Sequence, residues 1–286
     1  MDKSDDIQFK KVGVRSGGMD HNDVGKMWDE NAEAWTTLAR MGYDVYRDYV
    51  NTPAFMAMLP DVSGMSGADI GCGEGHNTRL IARRGAKMTA LDISRTFLTY
   101  ALREEGKEPL GIRYILASGI ELPFRDQSLD FVTAVMSLMD MPEHEEAVGE
   151  AFRVLRPGGF LQFSIIHPCF QTPGWKWILD DHGRRAAMIC SDYFDPPDED
   201  IEEWTFEAAP PETLRNLRKF RVPVFRRTLS SWINLLVKNG FVIERLDEPY
   251  ANEEALQHVP KLADTRIIAY FLLVLCRKPR VKNQAL

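Results

Sequence analysis

The stretch GADIGCGEGHNTRLIARRGAKMTALD, Gly67–Asp92, decides the fold. Ala68–Ile70 reads as a short apolar strand, and a glycine-rich turn follows it. Thr78–Arg84 has the pattern of a helix, Lys87–Leu91 that of a second strand, and Asp92 stands at that strand's tip. A strand–turn–helix–strand unit ending in an acid holds a nucleotide. The turn, Gly71-Cys72-Gly73-Glu74-Gly75, is G-x-G-x-G, whereas the dinucleotide pattern is G-x-G-x-x-G and position 76 is His. The third glycine arrives one residue early, and Glu74 puts a carboxylate where a bound phosphate would be repelled. A cationic or zwitterionic ligand tolerates that acid better. Asp92 comes 21 residues after Gly71 and can accept from both hydroxyls of a ribose. A nucleoside whose ribose is read and whose phosphate is not required fits both features. S-adenosylmethionine is one, with a ribose, an adenine, an amino-acid zwitterion and a sulfonium.

Outward from this unit the alternation continues. Arg95–Glu105 is a helix with Ser94 as its N-cap, and Ile112–Leu116 and Leu129–Met136 are strands. Pro142–Leu155 is a helix, Arg156–Gly159 a turn, and Phe160–Ile166 a strand. After residue 227 the pattern resumes with an amphipathic helix, Leu229–Lys238, stopped by Asn239-Gly240. Phe241–Leu246 and Ile267–Cys276 are the last two strands. Seven strands alternating with helices predict an α/β fold: a Rossmann-like, doubly wound, mostly parallel seven-stranded sheet. Residues 1–22 read as a polar tail, and 23–60 as two or three helices punctuated by Pro53 and Pro60. Residues 1–60 are thus expected to form a tail and helical cap on a domain of residues 61–286. Residues 167–227 break the rhythm after the fifth strand and are too long for a plain loop, so a substrate-side insertion or lid is expected there.

The bulk numbers exclude several classes. The chain has 286 residues, 44% hydrophobic and 27% charged, with a formal net charge of -7. That balance suits a soluble globular protein and gives no global footprint for nucleic acid. Cys72, Cys169, Cys190 and Cys276 form no Cys-x-x-Cys pair, so neither a zinc ribbon nor a redox dithiol is indicated. The apolar run Ile267–Cys276 is too short to cross a bilayer. The N-terminus lacks the apolar core of a signal peptide, and a cytoplasmic location is the expectation.

Four segments in order resemble the class I S-adenosylmethionine-dependent methyltransferases, especially small-molecule enzymes of the ubiquinone-biosynthesis type. They are ADIGCGEG, ALDIS, ASGIELPF with RDQSLDFV, and RVLRPGGFLQF, covering about residues 65–166. The resemblance implies that Gly71 and Gly73 line the methionine moiety, Asp92 holds the ribose and Ile93 packs on the adenine. It also assigns Asp69, Cys72 and Met136 to the cofactor wall, with Ser118, Gly119 and Ile120 around the adenine. Ser118 stands where the family often has an acid, and its hydroxyl accepts more weakly than a carboxylate.

On the substrate side the candidates are Trp28, Tyr46, Arg47, His167 and Trp175. Arg47 could pair with the methionine carboxylate. His167 follows the fifth strand, where ligands of open α/β sheets bind, and is the candidate base. Trp28 and Trp35, seven residues apart, suit either helix-face core or ligand cover. His144 and the acidic run Asp192–Glu203 read as solvated. Methyl transfer from a sulfonium needs mainly alignment, worth roughly 7–11 kcal/mol, and a base only when the acceptor must lose a proton. The sequence shows neither a triad nor a metal cluster. A small-molecule methyl acceptor is the expected partner, with no nucleic acid and no membrane, and the oligomeric state is left open. The alternatives are a non-catalytic S-adenosylmethionine-binding sensor or partner subunit, a nicotinamide oxidoreductase, and an RNA or protein methyltransferase drawing on the basic residues of 215–227.

Overall fold

Local signals start and stop the elements largely where the pattern places them. The computed structural model describes residues 18–195 and 200–280. The tail expected over residues 1–22 lies outside the described residues up to residue 17. Helix α1 (His21–Arg40) opens two residues before Asp23 because the Asp20 side chain accepts from the N–H groups of Asn22 and Asp23. A π-helical turn (Arg47–Asn51) leads into α2 (Thr52–Met58). Then come β1 (Ser66–Ile70), α3 (His76–Ala82), β2 (Lys87–Asp92), α4 (Arg95–Lys107), β3 (Arg113–Leu116) and β4 (Leu129–Val135). Ser94 caps α4 through the N–H of Phe97. A 3-10 turn (Leu138–Asp140), α5 (His144–Val154) and β5 (Leu155–Ile166) follow.

The segment after β5 has structure of its own. It holds one hairpin of β6 (Lys176–Leu179) and β7 (Arg185–Ile189), and a second pair of β8 (Asp200–Trp204) and β9 (Phe220–Val224), with the short α6 (Pro211–Leu214) between the latter two strands. The chain then returns as α7 (Leu229–Lys238), β10 (Val242–Asp247), α8 (Glu253–His258), a 3-10 stretch (Pro260–Arg266) and β11 (Phe271–Arg277).

The main sheet has the order β3-β2-β1-β4-β5-β11-β10. Strands β1 to β5 pair in parallel, and β11 runs antiparallel between β5 and β10. This is the expected doubly wound, mostly parallel seven-stranded sheet, and its strand order reverses between β1 and β4. Two strand boundaries differ from the sequence reading by more than two residues. Arg156–Gly159 forms no separate turn: Gly158 N–H bonds to Lys278 O and Lys278 N–H to Gly159 O, both at 2.8 Å, so the strand already begins at Leu155. The last strand starts at Phe271, not Ile267, because Ile267 and Ile268 donate their N–H groups back to Asp264 O.

Alternate residues of the strands feed two cores. Val132, Ala134, Leu161 and Phe163 pack under Val148 of α5 and Leu236 of α7. Phe131, Phe160 and Leu273 pack on the other face with Phe55 of α2 and Ile81 of α3. A third, aromatic core joins α1 to the insertion: Leu38, Trp28 and Trp35 meet Phe206, Phe220 and Trp204. Trp35 alone lies within 5.5 Å, centroid to centroid, of Trp28, Trp204, Phe206 and Phe220. Buried Asn31 of α1 completes the edge of β9, giving its amide N–H to Arg221 O at 2.8 Å and accepting from Arg221 N–H at 2.9 Å.

Gly67 on β1 makes the close approach that lets β4 lie flat beside it. A Cβ there would stand 2.1 Å from Cζ of Phe131, which is fully buried and stacked on Phe160. Gly67→Ala should therefore cost on the order of 1–3 kcal/mol in urea unfolding, and Phe131→Leu in the same chain should recover part of that loss. Additive losses in the double variant would place the strain elsewhere.

Candidate active site

The carboxyl ends of β1, β2 and β4 converge where the strand order reverses, and a cavity of about 600 Å³ opens there. Its floor is the glycine turn. Gly71 (φ 69°), Gly73 (φ 56°) and Gly75 (φ 87°) all lie in the left-handed region that disfavours side chains. A Cβ on Gly73 would meet no protein atom within 4 Å, so this backbone is bare toward the cavity. A Cβ on Gly71 would stand 2.4 Å from Cβ of Ser137, so the end of β4 rests directly on the turn. Met136, at φ 55°, turns the chain there; a non-glycine residue in that region marks strain of the kind held at functional sites.

Asp92 ends β2 at the cavity wall and is 7% exposed. Its Oδ2 accepts from Gly73 N–H at 2.7 Å and its Oδ1 from Ser94 N–H at 2.8 Å. Each oxygen keeps a lone pair for a further donor. Burial pushes this carboxyl up to about 6, against the pull of those two N–H groups. Helix α1 covers the site from the N-terminal side. Its Asp29 takes hydrogen bonds from Ser94 Oγ at 2.6 Å and from Thr96 N–H at 2.9 Å.

Of the residues singled out in the sequence, Gly71, Cys72, Gly73, Asp92, Ile93, Ser118, Gly119, Ile120 and Met136 all line this cavity, as do Trp28, Tyr46, Arg47 and Trp175. Two do not. The Asp69 carboxyl is engaged inside the sheet and does not line the cavity, accepting from Thr78 Oγ1 at 2.5 Å and Thr133 Oγ1 at 2.7 Å; burial holds it at about 6. His167 is 2% exposed and turned away from the cavity. Its Nδ1 accepts from Cys169 N–H at 3.2 Å, so Nε2 carries the proton and donates to Glu248 at 2.7 Å. With both nitrogens engaged, the ring cannot act as a base toward the cavity.

Glu74 is also corrected. It is buried and held by Arg40 Nε and Nη2 at 3.1 and 3.0 Å, with Arg47 Nη1 at 3.6 Å, so its charge latches the N-terminal helices to the glycine turn and is already opposed. Arg47 in turn spends Nε on Asp48 at 2.8 Å. His144 is not solvated: its ring lies 5.0 Å from that of Trp232, and burial pushes it down to about 4. Asp200 and Glu202 of the acidic run are buried against Arg226, at 3.0 and 2.7 Å. Arg218 pairs with Glu30, and Arg227 binds backbone carbonyls, so the basic run is largely consumed within the fold.

Sequence reading passed over two buried acids. On one wall, Asp264 accepts from Tyr46 at 2.7 Å and Tyr270 at 2.8 Å and pairs with Arg185, whose guanidinium lies over Trp177. Desolvation, and then the charge of Arg185, push neighbouring Lys261 down to about 8. Tyr46 and Arg185 lie 218 and 79 residues from Asp264 in the chain, so no local signal joins them to it. On the other wall stands Asp140, an acid in the run MSLMDMP. Its apolar flanks at a strand end were a readable sign of a buried carboxyl.

Comparison with known proteins agrees with this geometry. A family model described as a methyltransferase domain matches residues 68–163, from β1 through most of β5. Demethylmenaquinone methyltransferase from Tropheryma whipplei is 32% identical over 192 residues, 64% of this chain and 77% of that protein. The chain belongs to the class I S-adenosylmethionine-dependent methyltransferases. An S-adenosylmethionine-dependent methyltransferase from Mesorhizobium loti shares the fold with a TM-score of 0.64 and 29% identity, covering 79% of this chain and 96% of that one. Malonyl-[acyl-carrier protein] O-methyltransferase from Pectobacterium atrosepticum is 30% identical over 126 residues, 43% of this chain and 48% of the relative. The cofactor of this methyltransferase is S-adenosylmethionine. None of the helices among the described residues is long and apolar enough to cross a membrane.

The raised acidity constant of Asp92 has a consequence for stability. The unfolded carboxyl ionises near 3.8 and the folded one at about 6. Between those values the unfolded chain holds fewer protons, so this contribution is complete below pH 4 and is lost as pH rises through 6. Asp92→Asn cannot ionise. Relative to wild type, its unfolding free energy should improve by on the order of 3 kcal/mol between pH 4 and 7, read by urea unfolding of the ligand-free protein. A constant difference across that range would show that the folded carboxyl titrates normally.

Proposed function

We propose that this methyltransferase transfers the methyl group of S-adenosylmethionine to a small-molecule acceptor in the cavity at the strand ends. The observation that carries the reading is Asp92: a buried carboxylate, oriented by two backbone N–H groups, facing a cavity floored by bare glycine backbone. That donor set fits the nucleoside. Asp92 would hold the ribose hydroxyls, and Gly71, Cys72 and Gly73 would lie along the methionine moiety. Ile93, Ser118, Gly119 and Ile120 would enclose the adenine, with Met136 beside it. When bound, S-adenosylmethionine supplies a methyl group on a sulfonium that leaves as a neutral thioether.

The chain's own residues orient and enclose. Fixing acceptor and donor in line is worth roughly 7–11 kcal/mol of barrier. The aromatic core of Trp35, Trp204, Phe206 and Phe220 would act as a lid excluding water, with the described residues of 18–60 and of 167–227 as the two halves of the cover. Trp28 and Trp175 line the cavity and would meet the acceptor, which supports an apolar or planar body for it. Tyr46 and Arg47 would form its polar end. Of these relatives, one is named for demethylmenaquinone, which supports a small-molecule acceptor, and the other for a malonyl group on an acyl-carrier protein. They do not favour a non-catalytic binding protein, since both are enzymes.

Titration calorimetry tests this reading. S-adenosylhomocysteine should bind wild-type protein with micromolar Kd and NAD should not. Asp92→Ala should weaken S-adenosylhomocysteine about 10- to 100-fold, as expected for lost hydrogen bonds to a charged group. Equal affinity in the variant would remove Asp92 from the nucleoside site.

A further inference from the structure

Among the described residues, Asp140 is the one acid lining the cavity whose side chain neither accepts a hydrogen bond nor joins an ion pair. It closes the 3-10 turn after β4 and is 8% exposed, all the more unusual for a carboxyl flanked by Met139 and Met141. Among the described residues, none donates a hydrogen bond to its side chain, although its own N–H is satisfied by Ser137 O at 3.1 Å. A buried carboxyl without a donor costs several kcal/mol and is ordinarily eliminated or paired. Here the fold stiffens the loop around it instead. Arg227 Nη1 donates to Met139 O at 3.0 Å, and Nη2 to Met141 O at 2.6 Å and Pro142 O at 3.2 Å, so the guanidinium grips the carbonyls on both sides of Asp140. Phe225 and Trp232 hold that guanidinium, at 5.5 and 5.7 Å from their ring centroids.

The placement of the turn is equally specific. Ser137, three residues before Asp140, is the residue on which Gly71 rests, and its Oγ donates to Ile70 O at 2.6 Å. The Asp140 turn is thereby fastened to the glycine turn. The charged groups that bear on it are Arg227, which grips the carbonyls beside it, and Glu202, which is already paired with Arg226. Burial pushes the Asp140 carboxyl well above the usual carboxylate range, as expected for a group awaiting a partner.

We infer that Asp140 is the carboxyl that receives the acceptor's O–H or N–H at the point of methyl transfer, which makes the acceptor a protic heteroatom carried on an apolar body. The inference rests on the S-adenosylmethionine reading of the same cavity. A cation at the transfer point favours the ionised carboxyl. The lone pair of the acceptor's oxygen or nitrogen then forms the bond to the methyl carbon. The carbon–sulfur bond breaks with its pair going to sulfur, and the acceptor's proton passes to the Asp140 carboxylate. Phe225, Met139 and Met141 supply the apolar surroundings.

Sinefungin, which carries an amine where the cofactor carries its sulfonium methyl, puts N–H donors at the transfer point; S-adenosylhomocysteine puts none there. Titration calorimetry of both ligands on full-length wild type, Asp140→Asn, Asp140→Ala and Glu202→Gln is the experiment. The expected result is a fall of about 10- to 100-fold in sinefungin affinity in both Asp140 variants, with S-adenosylhomocysteine affinity unchanged in each. That unchanged affinity also shows that the variants fold. Unaltered sinefungin binding in Asp140→Asn, or a loss seen instead in Glu202→Gln, overturns the assignment. Failure of wild-type protein to bind S-adenosylhomocysteine overturns the cofactor reading itself, a result separate from either.

Discussion

Asp69 is the pin on which the site depends. It is a carboxylate 2% exposed in the middle of β1, and it draws in two hydroxyls: Thr133 from the neighbouring strand β4 and Thr78 from the first turns of α3. One side chain thereby fixes three elements at the place where the strand order reverses. The glycine turn runs between Asp69 and Thr78, so its ends are clamped while its three left-handed glycines shape the middle. Without that brace the N–H of Gly73 would not be held against Asp92, nor Ser137 against Gly71. The carboxyl sits at about 6, so the fold retains it despite an evident desolvation cost. Its two threonine donors offset part of that cost and gain a defined turn.

The cover of the cavity follows a second logic, charge at its edges and aromatic packing at its centre. Arg40 and Arg47 draw α1 and the following turn onto Glu74, inside the glycine turn itself. Asp29 ties α1 to the start of α4, and Asn31 ties it to β9. The β8–β9 pair of the insertion therefore closes against α1, while its β6–β7 hairpin is held by Asp264 and Tyr270.

Much of this was readable in advance, for physical reasons. Period-two and period-3.6 patterns place the strands and helices, and the spacing from Gly71 to Asp92 brings the glycine turn and the strand-end acid to one cavity. Local chemistry of this kind survives in a linear string. What the string concealed were pairings across it. Asp69 sits inside the glycine motif, yet its acceptor capacity is spent on threonines 9 and 64 residues away. His167 stands at the correct strand end, yet Glu248 and Cys169 take both its nitrogens. Tyr46 meets Asp264 across 218 residues. The acidic run looked like a solvated loop and the basic run like a reason to expect RNA or protein as acceptor, yet Arg226 of the second is buried against Asp200 and Glu202 of the first. A residue's position was legible; which neighbour had already claimed its hydrogen bonds was not.

The most direct test of the account is a crystal structure of the protein with S-adenosylhomocysteine bound. The account predicts both ribose hydroxyls within hydrogen-bonding distance of the Asp92 carboxylate, the amino-acid end along Gly71–Gly73, and the sulfur directed toward the Asp140 turn. A nucleoside seated elsewhere, or one whose ribose faces away from Asp92, would contradict it.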